Sequence, residues 1–150
     1  MFKASLKYKR ITARSFKPFG WLIDYPGREK ASKTKNLFRI VVRQSKLGWR
    51  IAYLVVRDKK IDRLEQHPES LETFEPVKGR GILFVSTSKD KAHIACFLLD
   101  KPVILKRGIW HAVVTLTREF DIKITENSKV RCVYWWIKKG AGSRARGMKK

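Results

Sequence analysis

The stretch Leu64–Gly79, which reads LEQHPESLETFEPVKG, determines how the rest of this chain is interpreted. Glu65 and His67 are two residues apart, and alternate residues of a β-strand point to the same face, so both side chains should project together. Pro68 removes a backbone donor, so the strand should end or bend immediately after the histidine. Glu72 follows five residues after His67. The stretch therefore predicts a cluster of polar side chains at the end of a β-strand.

A second motif, Lys106–His111 (KRGIWH), adds a glycine turn and another histidine. Imidazoles and carboxylates that converge from different strands are what a divalent transition metal requires, and they also suit general acid/base catalysis on a small polar substrate. The two motifs supply histidines and carboxylates of this kind, and such donors suit Zn, Mn, Fe or Ni without distinguishing among them.

Short apolar and alternating runs, separated by turns rich in glycine, proline and charged residues, predict an all-β sandwich or barrel. In the clearest run, Gly48–Arg57, both faces are largely apolar, so we expect a second sheet or subunit to cover the strand. Thr12–Gly20 predicts a short helix or turn capped by Thr12 or Ser15. Apart from the strand in the first motif, the remaining predicted strands are 1–10, 21–24, 37–44, 82–87, 93–99, 103–105, 109–116, 120–125 and 130–137.

The 150-residue chain is strongly basic, with a formal net charge of +22. Residues 1–60 hold 17 Lys and Arg against three Asp and Glu, residues 61–100 hold five against seven, and residues 101–150 hold 13 against three. The motif region is therefore the only acidic part of the chain. A charge of this size attracts polyanions, so nucleic acid is a candidate partner, although most aromatic residues fall at alternating strand positions typical of a core.

The last residues, 138–150, hold six cationic and no acidic side chains. This composition predicts a basic disordered tail after a single domain that spans residues 1–137. The N-terminal residues lack the apolar stretch of a signal peptide, and no apolar run reaches the length of a membrane span. We therefore expect a cytoplasmic protein without membrane association. Cys96 and Cys132 lie in apolar runs and are expected to remain thiols in that compartment.

The two motifs resemble those of the cupins, in which His-x-His, a glutamate and a glycine are followed later by Gly-x-x-His. The corresponding residues in this chain are Glu65, His67, Glu72, Gly79, Gly108 and His111. The resemblance is closer to one branch of the cupins, the bacterial ureidoglycolate lyases. The shared segments, in matching order and spacing, are 16–23 (FKPFGWLI), 64–79 and 107–111.

This resemblance implies a single-domain cupin-type antiparallel β-barrel, also called a double-stranded β-helix or jelly roll, that forms a homodimer. It implies a carbon–nitrogen lyase that eliminates urea from ureidoglycolate to give glyoxylate, or a close relative acting on a small hydroxy acid or amide. Glu72 and His111 would transfer protons, while Lys78 and Arg107 would hold the substrate carboxylate. Any metal would be bound by Glu65, His67, Glu72 and His111.

Two departures from the lyase pattern bear on this expectation. The lyases usually carry a glutamine at the position of Glu72, so the glutamate shifts the pattern toward the metal-binding cupins. They also carry a histidine and a proline where this chain has Ala112 and Val113. The alternative function is a non-catalytic cupin that binds a small anion or nucleic acid through its basic surface.

Overall fold

The computed structural model describes residues 7–34 and 37–137, and this part of the chain is almost entirely β-structure. One short α-helix, α1 (Ala13–Phe16), and two 3-10 turns, Arg28–Lys30 and Lys91–His93, interrupt the strands. No helix in these two ranges has the length and apolar character needed to cross a membrane. In chain order the strands are β1 (Lys9–Arg10), β2 (Gly20–Leu22), β3 (Trp49–Val56), β4 (Arg63–Gln66), β5 (Glu72–Lys78), β6 (Gly81–Ser86), β7 (Ala95–Leu98), β8 (Val103–Leu105), β9 (Trp110–Thr115), β10 (Phe120–Asn127) and β11 (Val133–Trp136).

The strands form two sheets that enclose a common core. The first sheet has the order β1-β7-β6-β9-β4-β11, and the second has the order β2-β8-β5-β10-β3. The pairs are antiparallel except for the two-residue pairing of β1 with β7, which is parallel. Consecutive strands alternate between the sheets at several points, as the chain of a jelly roll does. The predicted all-β double-sheet barrel is therefore confirmed.

The core between the sheets is built from aromatic and branched side chains, among which Phe16, Phe97 and Phe120 are at most 1% exposed. Burying a phenylalanine side chain completely contributes about 1.5–3 kcal/mol. Strand β6 contributes Leu83 to this core, while the next residue, Phe84, packs into a second cluster on the opposite face of the first sheet. The first sheet is thus covered on both faces around β6, which gives its other strands a rigid support.

The predicted helix near the N-terminus is confirmed, and Thr12 caps it. The Thr12 hydroxyl accepts a hydrogen bond from the backbone N–H of Ser15 at 3.0 Å. The Ser15 hydroxyl in turn accepts one from the backbone N–H of Thr12, also at 3.0 Å. These reciprocal bonds satisfy two donors that a helix start leaves without partners. The helix then delivers Phe16 into the core between the sheets.

Three sequence predictions about individual segments need correction. The strand expected at 37–44 is wrong, because residues 37–48 form no strand and Phe38 is 85% exposed. His93, expected in a strand, lies in a 3-10 turn where its Nδ1 is 3.0 Å from the Ser88 hydroxyl. The strand expected at 1–10 is reduced to β1, and residues 1–6 lie outside the described ranges, as does the predicted tail.

Strand β3 lies at the edge of the second sheet, where β10 is its only strand neighbour in the described chain. Its inner face packs on the core through Val56 and Ala52. Its outer face leaves Trp49, Ile51 and Tyr53 between 56% and 68% exposed. The expected second cover of this strand is therefore absent within the described part of this one chain.

One glycine in each of the two motifs adopts backbone angles that other residues avoid. Gly79 has φ +85° and Gly108 has φ +74°, both in the left-handed region. A side chain at Gly79 would also begin 2.3 Å from the backbone carbonyl oxygen of Glu119. Gly79 thereby permits the sharp turn that follows β5, and Gly108 permits the turn that precedes β9.

We expect Gly79→Ala to destabilise the fold by at least about 2 kcal/mol more than Gly27→Ala, because both share the left-handed cost of roughly 1–2 kcal/mol and only Gly79 adds an overlap with the backbone of Glu119. Gly27 is the matched control, because its φ is +73° but a side chain there would meet nothing within 4 Å. Chemical denaturation of both variants measures the difference. Equal losses in the two variants would contradict the steric role assigned to Gly79.

Candidate metal centre

Three strand ends bring His67, Glu72 and His111 together between the two sheets. His67 follows β4, His111 is the second residue of β9, and β4 and β9 are neighbours in the first sheet. Glu72 begins β5 in the second sheet and faces them. The Glu72 Oε2 atom lies 3.2 Å from His67 Nε2 and 3.1 Å from His111 Nε2. All three side chains are at least 94% buried.

Backbone carbonyls fix the orientation of both imidazole rings. Nδ1 of His111 donates to the carbonyl of Ile109 at 2.9 Å, and Nδ1 of His67 donates to the carbonyl of Arg131 at 3.3 Å. Both rings therefore present Nε2 toward Glu72. An Nδ1–H held by a carbonyl is the usual second-layer support of a metal-binding histidine, because it fixes the tautomer and the ring orientation.

The distances within the cluster fit a shared divalent ion. Ligand atoms at about 2.0–2.2 Å from an ion in tetrahedral or octahedral geometry lie about 3.0–3.5 Å from one another. The two Nε2 to Oε2 distances of 3.2 and 3.1 Å fall in this range. In the described chain, Glu72 Oε2 and His111 Nε2 are buried without a hydrogen-bond partner of suitable alignment. His67, Glu72 and His111 thus form a group that could hold a metal ion.

Burial and mutual charge control the protonation of the cluster. Burial disfavours the imidazolium form of His111, but the adjacent Glu72 carboxylate outweighs burial and raises the pKa of His111 to about 9. Burial likewise opposes ionisation of Glu72, yet the two imidazoles lower the pKa of that carboxyl to about 2. The pKa of His67 is also raised, since Glu72 outweighs its burial. The metal-free cluster therefore pairs a carboxylate with imidazolium at neutral pH.

Glu65, the fourth predicted ligand, lies at the edge of this group. It is directly opposite His111 in the β4–β9 pairing, and its Oε1 is 3.8 Å from His111 Nε2. Its side chain is 38% exposed, in contrast to the three buried residues. Glu65 also belongs to a second group of potential ligands, with His67 and Cys132. The structure therefore places Glu65 next to the buried cluster, on the solvent side.

Sequence reasoning missed the buried carboxylate of Glu126. Glu126 pairs directly opposite Glu72 between β10 and β5, and its Oε2 is 3.9 Å from His67 Nε2. Arg50 holds the other oxygen through Nε at 2.9 Å and through Nη2 at 2.6 Å. The available signal was the alternation of β10, in which an apolar inner face ends in this glutamate. Glu126 and Arg50 extend the polar cluster on the side of the second sheet.

A cavity of about 590 Å³ opens from the cluster to the surface. Its inner wall includes Glu65, Glu72 and His111, while Phe74 and Ile124 supply apolar surface. Its mouth is lined by charged residues between positions 57 and 63. The volume lies within the range of small-molecule sites in proteins, and a few polar groups converge at its end, as such sites require.

The two cations that were predicted to hold the substrate carboxylate lie away from this cavity. Lys78 ends β5 and lines a separate shallow depression together with Gly79 and Asp100. The guanidinium of Arg107 donates to the backbone carbonyl of Glu69 at 3.3 Å. Neither side chain lines the cavity next to the histidines. The structure brings together the predicted metal ligands but not these two cations.

An antiparallel double-sheet barrel with histidines and carboxylates gathered between its sheets is the cupin-type fold, and this chain has that fold. A family model described as ureidoglycolate lyase matches residues 3–139, which is nearly the whole chain. The chain therefore belongs to the ureidoglycolate lyase family, a family of lyases.

Solved structures of Bacillus subtilis oxalate decarboxylase align with part of this chain. A mutant of that enzyme shares 15% identity at a TM-score of 0.44, and the alignment covers 60% of this chain. A structure described for the Mn(II) centers of the same enzyme gives the same identity, TM-score and coverage. This chain spans 24% of the length of either oxalate decarboxylase chain. Among curated proteins, none matches this chain.

Proposed function

We propose that this chain eliminates urea from ureidoglycolate to give glyoxylate, or carries out the same elimination on a closely related small hydroxy acid or amide. The observation that carries the proposal is the convergence of two histidine Nε2 atoms on one carboxylate oxygen of Glu72 at the end of a cavity. Membership of the ureidoglycolate lyase family supports the reaction class. The acidic motif region of this basic chain contributes Glu65 and Glu72 to the cavity's inner wall.

The elimination requires two proton transfers, one from the hydroxyl oxygen and one to the urea nitrogen, and both atoms are bonded to the same substrate carbon. A base removes the hydroxyl proton as the C=O of glyoxylate forms, the carbon–nitrogen bond breaks, and an acid protonates the departing urea nitrogen. Glu72 and His111 are the proposed groups in the metal-free cluster, where Glu72 is the carboxylate and His111 is the imidazolium. Both line the cavity, so both can reach a bound substrate.

The same residues fit a divalent ion, and we propose that His67, Glu72 and His111 hold one, with Glu65 as the neighbouring carboxylate. A bound ion would lower the pKa of a substrate hydroxyl that it coordinates and would help to orient the substrate. Glu65 is then the carboxylate left to accept the hydroxyl proton, because it is half-exposed on the cavity wall. The donor set suits Zn, Mn, Fe or Ni.

Urea release from ureidoglycolate, measured together with the metal content of the purified protein, tests this function. We expect urea and glyoxylate in equal amounts, and loss of activity on chelation that returns when one of the four metals is added. A protein that releases no urea with any of these metals, or without metal, would contradict the proposed reaction.

A binding function for the basic surface is the second candidate, and the net charge of +22 favours it. Binding to nucleic acid through phosphate contacts should weaken steeply as salt rises, because bound cations are released from the nucleic acid. Turnover of a small substrate should change much less over the same range. Strong salt-sensitive binding to nucleic acid in a protein without urea release would favour this second function.

We further propose that two copies of the chain associate through the outer face of β3, in a cytoplasmic homodimer. Trp49, Ile51 and Tyr53 form an exposed apolar row there, and the edge of β3, which has no second strand neighbour within residues 7–34 and 37–137, can pair with another strand. A symmetric pair of these faces would bury large apolar side chains from both copies. The second copy thus supplies the cover that the sequence predicts for this strand.

We expect Ile51→Lys to convert the dimer to a monomer in light-scattering measurements, because each dimer would bury two unpaired charges at the interface. Leu116→Lys is the matched control, since Leu116 is also an exposed apolar residue, at 39%, but lies outside β3. A wild-type monomer, or a dimer that survives Ile51→Lys, would contradict an interface on this face.

A further inference from the structure

Arg63 stands at the mouth of the cavity, and its guanidinium makes cation–π contacts with two aromatic rings. Its Cζ atom lies 5.2 Å from the ring centroid of Tyr134 and 4.9 Å from that of Trp136. Trp136 is directly opposite Arg63 in the β4–β11 pairing, and Tyr134 lies one alternate position along the same face. The backbone pairing of two strands therefore fixes the place of this cation at the cavity mouth.

The guanidinium of Arg63 retains its hydrogen-bonding capacity. Cation–π contacts do not pair its N–H groups with an acceptor oxygen, so the guanidinium fork can still meet a carboxylate. Within residues 7–34 and 37–137, Arg63 forms no ion pair with a carboxylate, although Asp58 and Asp62 also line the mouth. Arg57, another cation of the mouth, is already paired with Glu119 at 2.8 Å. The two ring contacts therefore position Arg63, and its positive charge has no carboxylate partner in the described part of the chain.

Arg63 shares one cavity with the candidate metal centre. Arg63 and Glu65 are alternate residues of β4, so both side chains lie on the cavity face with Cα atoms about 6.6–6.8 Å apart. Glu65 in turn adjoins His111. A ligand in this cavity is therefore bordered by Arg63 at the mouth and by Glu72 and His111 at the inner wall.

We propose that Arg63 is the residue that binds the substrate carboxylate, in the role that the sequence alone suggested for Lys78 and Arg107. The planar guanidinium fork matches the two oxygens of a carboxylate, so the site selects small 2-hydroxy acids in their anionic form over the corresponding uncharged amides. This inference rests on the proposed function for the identity of the reaction, but the carboxylate site can be tested without turnover.

Calorimetric binding of glycolate and of glycolamide to the full chain provides that test. The two probes have the same size and the same hydroxyl group, and only glycolate carries a carboxylate. We expect wild type to bind glycolate, and Arg63→Gln to weaken that binding about 10- to 100-fold, as loss of a charge-assisted pair does. Arg63→Lys should restore part of the affinity. Glycolamide binding should be weaker and should change less than threefold in either variant.

Arg57→Gln and Lys78→Gln serve as controls, because each removes one positive charge and leaves the guanidinium of Arg63 in place. Neither control should change glycolate affinity more than about threefold, because solvent and salt screen a single charge at the surface. Absence of glycolate binding by wild type, an unchanged affinity in Arg63→Gln, or an equal loss in Arg57→Gln would overturn the assignment. A matching melting temperature for Arg63→Gln and wild type excludes unfolding as the cause of a loss.

Kinetics separate this inference from the proposed reaction. If wild type releases urea, Arg63→Gln should raise KM for ureidoglycolate at least about 10-fold, with a smaller effect on kcat. Urea release with a KM indifferent to Arg63→Gln would overturn the carboxylate site and leave the reaction standing. Arg63-dependent glycolate binding without urea release would support the carboxylate site while contradicting the reaction.

Discussion

Glu72→Gln is expected to weaken divalent-metal binding at least about 100-fold, since even the outer partners of metal ligands contribute about 10- to 100-fold. Glutamine keeps the side-chain size but removes the negative charge that lies within 3.2 Å of two imidazoles. Urea release should fall in parallel. Titration of the metal-free protein with Mn²⁺ and Zn²⁺ measures the affinity, and the urea assay measures turnover.

Double variants test whether the cluster acts as one unit. His67→Ala and His111→Ala should each weaken metal binding as strongly as Glu72→Gln, and a second substitution should add little to the first. Glu69→Gln is the matched control in the same stretch, because its carboxylate is 64% exposed and lies 3.9 Å from Lys46 rather than in the cluster. Metal binding that is unaffected by all three cluster variants would contradict a shared site.

Metal affinity should rise steeply with pH between about 6 and 9. His111 has its pKa raised to about 9, so below that value a metal must displace its proton, which weakens the apparent affinity about tenfold per pH unit and per displaced proton. The pKa of His67 is raised as well, so a second proton adds to the dependence at the acidic end. The dependence should level off above pH 9. From pH 6 to pH 8 we expect a gain of about 100-fold or more.

Calorimetry in buffers of different ionisation enthalpy counts the protons released per metal bound. We expect at least one proton per metal at pH 7, released by His111. His93→Ala is the control, since His93 is exposed beside Asp90 and lies outside the cluster. A metal affinity independent of pH between 6 and 8 would show that the cluster is not protonated in the way its charges indicate.

The sequence predicted the strand framework from local spacing, and the resemblance of its two motifs to the cupins predicted the buried cluster. Strands such as β10 alternate apolar and polar residues over their length, and the motifs place Glu72 and His111 at fixed distances from the glycine turns. The turns at Gly79 and Gly108 could also be predicted, since left-handed backbone angles leave few alternatives to glycine. Periodicity and turn chemistry are local properties of the chain, so they can be recognised before the fold is known.

Other features depend on pairing between distant segments and could not be predicted in this way. Residues 37–44 alternate like a strand, but the described structure offers them no neighbouring strand with which to pair. Glu126 meets Glu72 only because of the register between β10 and β5. Arg63 reaches the cavity mouth because β11 places its aromatic rings beside β4. Registers between strands that are 50 or more residues apart are a tertiary property.

The cluster draws its histidines from one sheet and Glu72 from the other, so an ion bound there would crosslink the two halves of the barrel. Opening the sheets would then require breaking coordinate bonds, and the metal-bound form should exchange the amide hydrogens of β5 and β9 more slowly, and to a similar degree in both strands. At a free metal concentration about 100 times Kd, the linkage adds about 2.7 kcal/mol to the free energy of unfolding. The candidate metal centre of this small domain would then also hold its two sheets together.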